Sequence, residues 1–230
     1  MRPSSELCVA LRTYLCSEVG TPGRTEPPRW WGYLYPRDSL SAGPVALEAI
    51  PQAVWFFLPA FAANPMAVLF GGGPPVDFRR TLRDGERIFG DGKTWRGLVG
   101  GTLSGAVLGF FLSLPFHFFA LNSTWSFGSP AEAFGASAVL AFGALLGDLA
   151  GAFIKRRLRL PRGSKATGLD QYDFVVGALL LSLAIPAWSI PRFFSGDALL
   201  GLLAIIVITP ALHRAVNLVG YRIGKKNEPW

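Results

Sequence analysis

Charged residues are absent from five long stretches of this 230-residue chain, and their spacing constrains the fold more than any other feature. No Asp, Glu, Lys or Arg occurs in 49–76, 97–131, 133–147, 174–191 or 198–213. A helix that crosses a bilayer needs about 20 consecutive apolar residues, and several of these stretches approach or exceed that length. Only 16% of the residues are charged, against about 25% in an average soluble domain. The chain is therefore predicted to be an integral membrane protein.

The remaining composition excludes other classes of protein. The 18 Phe and 7 Trp residues supply far more apolar surface than a disordered chain contains. A net charge of +7 does not indicate nucleic-acid binding, because the basic residues lie between apolar spans instead of covering a polar domain. Cys8 and Cys16 have no second pair, so neither a zinc site nor a disulfide framework is expected. No apolar region typical of a cleavable signal peptide occurs in 1–43.

We expect an all-α, polytopic fold with about five transmembrane helices and two polar loops. The predicted spans cover 44–70, 97–121, 131–154, 174–190 and 198–219. Three prolines, Pro51, Pro59 and Pro65, interrupt the first span and predict a kinked or partly re-entrant helix. Gly97, Gly101 and Gly105 recur at four-residue spacing in the second span and predict a smooth face for close helix packing.

The basic residues predict how the chain crosses the membrane. Six Lys or Arg residues lie in 79–96, six in 155–165 and four from Arg214 onward, whereas the turn after the second span has none. The positive-inside rule places the two basic loops and the C-terminus in the cytoplasm of a multi-pass cell-membrane protein. By parity, 1–43 becomes an extracytoplasmic, poorly ordered extension, and 44–230 becomes the membrane-embedded domain.

The first basic loop has features of an anion-binding loop. Several glycines flank Lys93, Thr94 and Arg96 at the start of the second span, so backbone amides, a helix N-terminus and cations converge there. The spacing is not that of a Walker A loop. The alternative is a basic, glycine-capped loop that anchors the span at the membrane interface.

The second basic loop follows an acidic residue inside an apolar span. An ionisable group such as Asp148 costs about 2.5 to 3.5 kcal/mol at the centre of a membrane helix, which makes it a functional candidate. Lys155 lies seven residues later and therefore on the same helical face. The alternatives are an internal salt bridge for Asp148, and topology determination with anionic-lipid contact for the basic cluster from Lys155 to Arg159.

Two further carboxylates, Asp170 and Asp173, open the fourth span three residues apart. Side chains at this spacing share a helical face and can hold one hard divalent cation through oxygen ligands. The alternative is an N-cap with a first-turn acid that complements the helix dipole. Together with Asp148 and the cations, the pair indicates metal-bridged polyphosphate chemistry at the level of the lipid headgroups.

These segments also resemble those of a known enzyme family. GKTWRGLVGG, beginning at Gly92, is similar to the KTWEGxxGG motif of CTP-dependent phosphatidate cytidylyltransferases. Gly147-Asp148, Lys155-Arg156 and LDQYD, beginning at Leu169, are similar to their C-terminal signature, although Ala152 stands where that signature has Ser. The five-span length and the motifs resemble the archaeal branch, the CDP-archaeol synthases, most closely, from residue 44 to the C-terminus.

The resemblance implies a reaction, substrates and site residues. CMP is transferred from CTP to the ether-lipid phosphate 2,3-bis-O-(geranylgeranyl)-sn-glycerol 1-phosphate, giving unsaturated CDP-archaeol and pyrophosphate with the help of Mg²⁺. Membrane lipids are the other expected partners, and binding to nucleic acid is not expected. The sequence leaves open whether the protein forms a homo-oligomer. The implied catalytic residues are Lys93, Asp148, Lys155, Arg156, Asp170 and Asp173, with Asp148, Asp170 and Asp173 as metal ligands and Asp91, Gly92, Lys93, Thr94 and Arg96 at the CTP phosphates.

Three alternatives to this enzyme remain at the level of sequence. A small transporter would also use an intramembrane Asp148, but no inverted repeat is visible and its polar groups should lie near the midplane. A structural membrane subunit would need no set of three carboxylates. A phosphatidate cytidylyltransferase that uses a diacyl acceptor is the nearest enzymatic alternative.

Overall fold

The computed structural model describes residues 47–119, 124–160 and 168–224; in these segments the regular elements are helices joined by loops, one of which contains two isolated β-bridges. The predicted extension 1–43, part of the loop after Leu160 and the last six residues lie outside the described residues. Within these described segments six α-helices follow one another, with a short π-helix, Ile190–Phe194, after the fifth. They are α1 (Ala49–Leu69), α2 (Trp95–Phe118), α3 (Pro130–Arg157), α4 (Leu169–Ser182), α5 (Pro186–Ser189) and α6 (Ala198–Arg222).

The helices confirm the prediction of a polytopic all-α membrane protein. Within the described segments, α1, α2, α3 and α6 are each long and apolar enough to cross a membrane. α4 and the short helices that follow it are apolar enough for a fifth crossing only when taken together, and they are bent by 116°, as in a broken span or a re-entrant loop. The number of crossings therefore agrees with the expected five when this bent pair counts as one span.

The fourth span differs from the span predicted over 174–190. It begins earlier, at Leu169, and α4 ends at Ser182. Pro186 starts the next helical turn, and Ile185 before it has the non-helical angles φ −122° and ψ 63°. A residue that precedes proline is disfavoured in the α conformation, which explains the break.

The first span is one continuous helix, so the prediction of a partly re-entrant segment was wrong. Pro59 and Pro65 both lie inside α1, and the helix continues through them to Leu69. Neighbouring helices can cover the carbonyl groups that a membrane proline leaves without a donor. The second half of α1 packs closely against α2, whose Gly97 and Gly101 face the carbonyls of Ala67 and Ala63.

The glycine face of α2 confirms the prediction of close helix packing. A Cβ atom at Gly97 would lie 2.8 Å from the carbonyl oxygen of Ala67, and one at Gly101 would lie 2.6 Å from that of Ala63. Side chains larger than hydrogen cannot occupy these positions at the present spacing. In a membrane, where apolar lipid competes for apolar side chains, such backbone contact stabilises a helix pair.

The two ends of the bundle differ in chemistry. At one end, Trp55 and Trp188 donate their indole N–H groups to the carbonyls of Trp125 and Phe127, at 3.1 and 3.0 Å. We call this the aromatic end. At the other, the loop end, the segment between α1 and α2 meets the end of α3 and the start of α4. All the predicted site residues lie at the loop end.

Candidate active site at the loop end

The loop between α1 and α2 is held in a compact form by backbone pairing. The amide of Val76 donates to the carbonyl of Lys93 at 2.8 Å, and that of Trp95 donates to Pro74 at 3.2 Å. Thr94 then acts as the N-cap of α2, because its buried hydroxyl accepts from the amide of Gly97 at 3.2 Å. This short antiparallel contact fixes where Lys93 leaves the loop.

A buried carboxylate, Asp77, organises the rest of this loop. Its side chain is 0% exposed and accepts two hydrogen bonds from Arg87, from Nε at 3.2 Å and from Nη2 at 2.6 Å. The amides of Arg79, Phe89 and Gly90 donate to the same carboxylate at 3.0 to 3.1 Å. Five donors therefore converge on one carboxylate.

The surroundings of Asp77 keep it ionised. Burial alone would raise the pKa of this carboxyl, but hydrogen bonds from Arg87 and from the amides of Gly90, Phe89 and Arg79 outweigh burial and hold the pKa well below its usual range. Arg87 extends this network, because it also pairs with Asp91 at 2.9 Å. The segment just before Lys93 is thereby tied to the buried carboxylate.

Arg157, the last residue of α3, attaches the loop to the helix bundle. Its guanidinium pairs with Asp84 and donates to the carbonyls of Glu86 and Arg87. It also lies 5.2 Å above the ring of Phe153, one turn earlier on α3. The turn of the loop is therefore fixed to the helix that carries Asp148.

A second set of glycines brings α4 against α3. A Cβ atom at Gly147 would collide with the carbonyl oxygen of Asp173, and one at Gly151 would collide with the carboxylate of Asp173. Gly177, one turn further along α4, similarly faces the backbone of Gly143. Residues 143, 147 and 151 form one face of α3, so the absence of side chains there lets Asp173 approach the helix directly.

Two ion pairs connect the elements that meet at this point. Lys93 from the loop pairs with Asp148 on α3, and Lys155 on α3 pairs with Asp170 on α4. Asp173 lies within electrostatic range of Asp148, Lys93 and Lys155. Each of these four paired side chains is between 22% and 30% exposed, so the cluster can be reached from solvent. We call these five residues the charged cluster.

The contacts of the charged cluster can be compared with the alternatives drawn from the sequence. Asp148 forms an ion pair, but with Lys93 of a distant loop and not with an arginine of its own helix. Gly168 occupies the N-cap position of α4 with no side-chain cap, and Asp170 is an acidic residue in the first turn, as the helix-dipole alternative expects. Across the described segments, no three Asp, Glu, His or Cys side chains form a ready-made metal-binding group.

The other predicted site residues lie around the charged cluster. Asp91 is exposed and pairs with Arg87, and Gly92 has open space where a side chain would be. Arg156 is half-buried and makes no ion pair with any described residue. Arg96 lies apart from the cluster, where it lines a groove on the outer face of α2.

Four residues build the site in ways that the sequence did not indicate: Asp77, Arg157, Gly147 and Gly151. The glycines could have been found, because they recur at four-residue spacing just as those of the second span do. Arg157 lies in a run of basic residues, and nothing in the sequence indicates which of them contacts the loop before α2. Nothing in the spacing around Asp77 indicates that it is buried, because its partners follow two to thirteen residues later in an irregular loop.

Comparison with known proteins places this arrangement in a family. The family model described as "CarS-like: CDP-archaeol synthase" matches residues 46–230. The CDP-archaeol synthase of Pyrococcus abyssi is 45% identical over 184 residues, which cover 80% of this chain and 100% of the relative. That of Methanoregula boonei is 47% identical over 174 residues, covering 75% of this chain and 99% of the relative.

A solved structure supports the same assignment. It is described as an intramembrane enzyme for archaeal membrane lipids biosynthesis, is 36% identical, and superposes with a TM-score of 0.55 over 71% of this chain and 94% of its own. The prediction of a multi-pass membrane enzyme, a cytidylyltransferase that uses CTP, is confirmed by these relatives. From residue 46 onward, the chain belongs to the CDP-archaeol synthase family.

Proposed function

We propose that this protein transfers CMP from CTP to 2,3-bis-O-(geranylgeranyl)-sn-glycerol 1-phosphate, giving unsaturated CDP-archaeol and pyrophosphate. The observation that carries the proposal is the charged cluster. It joins the loop before α2 to α3 and α4 through the pairs Lys93–Asp148 and Lys155–Asp170. The name of the relatives, CDP-archaeol synthase, and the charged site at one end of a bundle of apolar helices both support it.

The reaction needs no general base. A phosphate monoester has a second pKa near ~6 and is largely a dianion at neutral pH. One of its oxygens attacks the α-phosphorus of CTP, the bond from this phosphorus to the bridging oxygen breaks, and pyrophosphate leaves with that electron pair. The difficulty is to bring two polyanions together, which is the task of the cations here.

Lys93 and Lys155 supply those cations. Each lysine pairs with a carboxylate, and each can turn its ammonium group towards a phosphate oxygen. We assign Lys93, with the backbone from Asp91 to Thr94, to the triphosphate of CTP. We assign Lys155 and Arg156 to the lipid phosphate or to the leaving pyrophosphate, where their charge matters most.

The carboxylates fit a divalent cation such as Mg²⁺. Asp148, Asp170 and Asp173 provide only oxygen donors, from adjacent helices, and Asp173 lies within electrostatic range of Asp148. Mg²⁺ is usually held by one or two carboxylates together with substrate phosphates, so a complete protein cage is not required. When bound, the cation offsets the negative charge of the triphosphate.

The basic loops favour a cytoplasmic orientation for the loop end. This side of the membrane carries most of the Lys and Arg residues, as the positive-inside rule requires. CTP then reaches the charged cluster from the cytoplasm, while the apolar chains of the acceptor remain in the bilayer. Only the lipid headgroup has to enter the site.

The test is a reconstituted reaction with purified protein in detergent. CTP, Mg²⁺ and the digeranylgeranylglycerol phosphate should yield pyrophosphate and a CDP-lipid that mass spectrometry identifies. Replacing CTP by ATP, GTP or UTP tests the nucleotide, and replacing the acceptor by diacyl phosphatidate tests the lipid. We expect product with CTP and the ether lipid at a rate at least tenfold above every other combination. Equal rates with diacyl phosphatidate would refute the assigned acceptor.

A further inference from the structure

An apolar groove with a volume of about 660 Å³ runs along the outer face of α2. Its wall is formed by Val99, Leu103 and Val107, which are 53%, 52% and 43% exposed and follow one another at helical spacing. They lie on the side of α2 opposite to the glycines that pack against α1. The groove therefore opens away from the bundle, towards the surrounding lipid.

Small residues and one aromatic ring shape the floor of the groove. A Cβ atom at Gly100 would lie 2.5 to 3.0 Å from atoms of Phe70, so this ring rests directly on the helix. The hydroxyl of Ser104 donates to the carbonyl of Gly100 at 2.7 Å and offers little to a ligand. The lining is therefore suited to a hydrocarbon chain.

A cation stands at the mouth of the groove. Arg96 is exposed and makes no ion pair or hydrogen bond with any residue in the described segments. Trp95 beside it is 41% exposed and contacts Phe78, with ring centroids 6.1 Å apart. Tryptophan favours the boundary between headgroups and acyl chains, so Arg96 lies at headgroup depth. A guanidinium there matches a phosphate monoester in charge and in geometry.

The groove leads from the candidate site into the membrane. Arg96 follows Lys93 of the charged cluster by three residues, and Thr94 between them is the N-cap of α2, so both residues lie at the loop end. From Arg96 to Val107 the helix rises about 16 Å, at 1.5 Å per residue. A lipid with its phosphate at Arg96 can therefore extend one chain along α2, away from the loop end of the bundle.

We propose that this groove binds one hydrocarbon chain of the acceptor lipid phosphate and that Arg96 binds its phosphate. This inference rests on the proposed function and assigns Arg96 to the lipid instead of to CTP. Charge complementarity at the mouth distinguishes this occupant from an uncharged bulk lipid. The groove then contributes to the choice of acceptor through the length and shape of the chain.

The kinetic test fills the groove with a side chain. Ser104→Phe should raise the KM for the long-chain ether-lipid phosphate at least tenfold, while the KM for CTP stays within twofold of the wild-type value. An acceptor whose chains are too short to reach the groove should show no such change. Phe111→Trp is the matched control, because Phe111 is exposed on the same helix beyond the groove. Equal KM values for the long-chain acceptor in wild type and Ser104→Phe would refute the proposal.

A binding test that needs no turnover separates this inference from the proposed function. The probe is a dialkyl glycerol phosphate with a diazirine in one chain, irradiated with the wild-type protein. We expect label on α2 at Leu103 or Val107, and at least fivefold less label after Arg96→Gln, with partial recovery in Arg96→Lys. Labelling elsewhere, or equal labelling by the analogue with a phosphocholine headgroup, would show that the groove holds bulk lipid and would overturn the inference. If no lipid phosphate gives a CDP-lipid yet label appears at α2, only the proposed function fails.

Discussion

Replacing Gly151 by alanine tests the helix contact that positions the candidate site. A Cβ atom at Gly151 would collide with Oδ2 of Asp173 and lie 3.0 to 3.1 Å from two further side-chain carbons of that residue. The methyl group cannot be placed without moving Asp173 or separating α4 from α3. The change thus acts on a carboxylate of the charged cluster without removing any polar group.

The size of the effect follows from the packing. Forcing an additional methyl group into a close-packed contact costs about 1 to 3 kcal/mol. If α4 moves instead, a displacement of about 1 Å at a reacting group lowers the rate on the order of 100-fold. We therefore expect kcat to fall at least 10-fold and on the order of 100-fold if the whole helix shifts, with a Tm that decreases only moderately.

The assay is pyrophosphate release from CTP and the ether-lipid phosphate, with Tm measured on the same detergent samples. Gly135→Ala is the matched control, because Gly135 lies on the same helix and a Cβ there meets nothing within 4 Å. Alanine in place of glycine in a helix stabilises by about 0.5 to 1 kcal/mol, so this variant should retain full activity. Full activity in Gly151→Ala, or an equal loss in Gly135→Ala, would refute the packing argument.

Three further changes probe the loop before α2. Arg157→Gln frees the turn that Arg157 fixes to α3 and should raise the KM for CTP several-fold with little change in Tm, whereas an unchanged KM would argue against this positioning role. Asp77→Asn removes a buried, charge-assisted pairing worth about 1.5 to 3 kcal/mol and should increase protease cleavage of the loop. Because folding lowers the pKa of Asp77, the wild-type loop should resist protease equally at pH 5 and pH 7. It should lose this resistance only when the pH falls below the usual pKa range of Asp. Lys93→Gln should lower kcat on the order of 100-fold with normal folding, and near-normal turnover would exclude Lys93 from the triphosphate site.

The spans could be predicted from the sequence because each one is marked by its own continuous stretch of apolar residues and does not depend on distant parts of the chain. Charge-free stretches near 20 residues and the glycine spacing of the second span identified the membrane helices and one packing face. The bend after α4 could not be placed the same way. Pro186 was visible, but Pro59 and Pro65 lie inside a continuous helix, so a proline alone does not determine whether a span breaks.

The candidate site could be predicted only in part. Asp148, Lys155, Asp170 and Asp173 were identified from their charge within or beside apolar spans, but their pairing was not. Which lysine faces which carboxylate depends on how far apart α3 and α4 lie, and this distance is set by glycines that carry no chemistry themselves.

The loop before α2 shows why its organisation escaped sequence reasoning. Asp77 is buried and accepts hydrogen bonds from residues two to thirteen positions later in the chain. This spacing has neither the period of a helix nor that of a strand. Arg96 illustrates the opposite limit. Its place in a basic, glycine-rich segment indicated phosphate binding. The structure shows that Lys93 pairs with Asp148, whereas Arg96, in the first turn of α2, lies at the groove.

The central claim is that the charged cluster is the site of cytidylyl transfer, and the most direct measurement is turnover of Asp173→Asn beside Asp197→Asn. Asp197 is exposed and immediately precedes α6 at the opposite end of the bundle, so it provides a matched change of charge. With all variants folded, we expect Asp173→Asn and Asp170→Asn each to lower the rate of CTP-dependent pyrophosphate release at least 100-fold. Asp197→Asn should stay within twofold of the wild-type rate. Near-wild-type turnover in both cluster variants would contradict it.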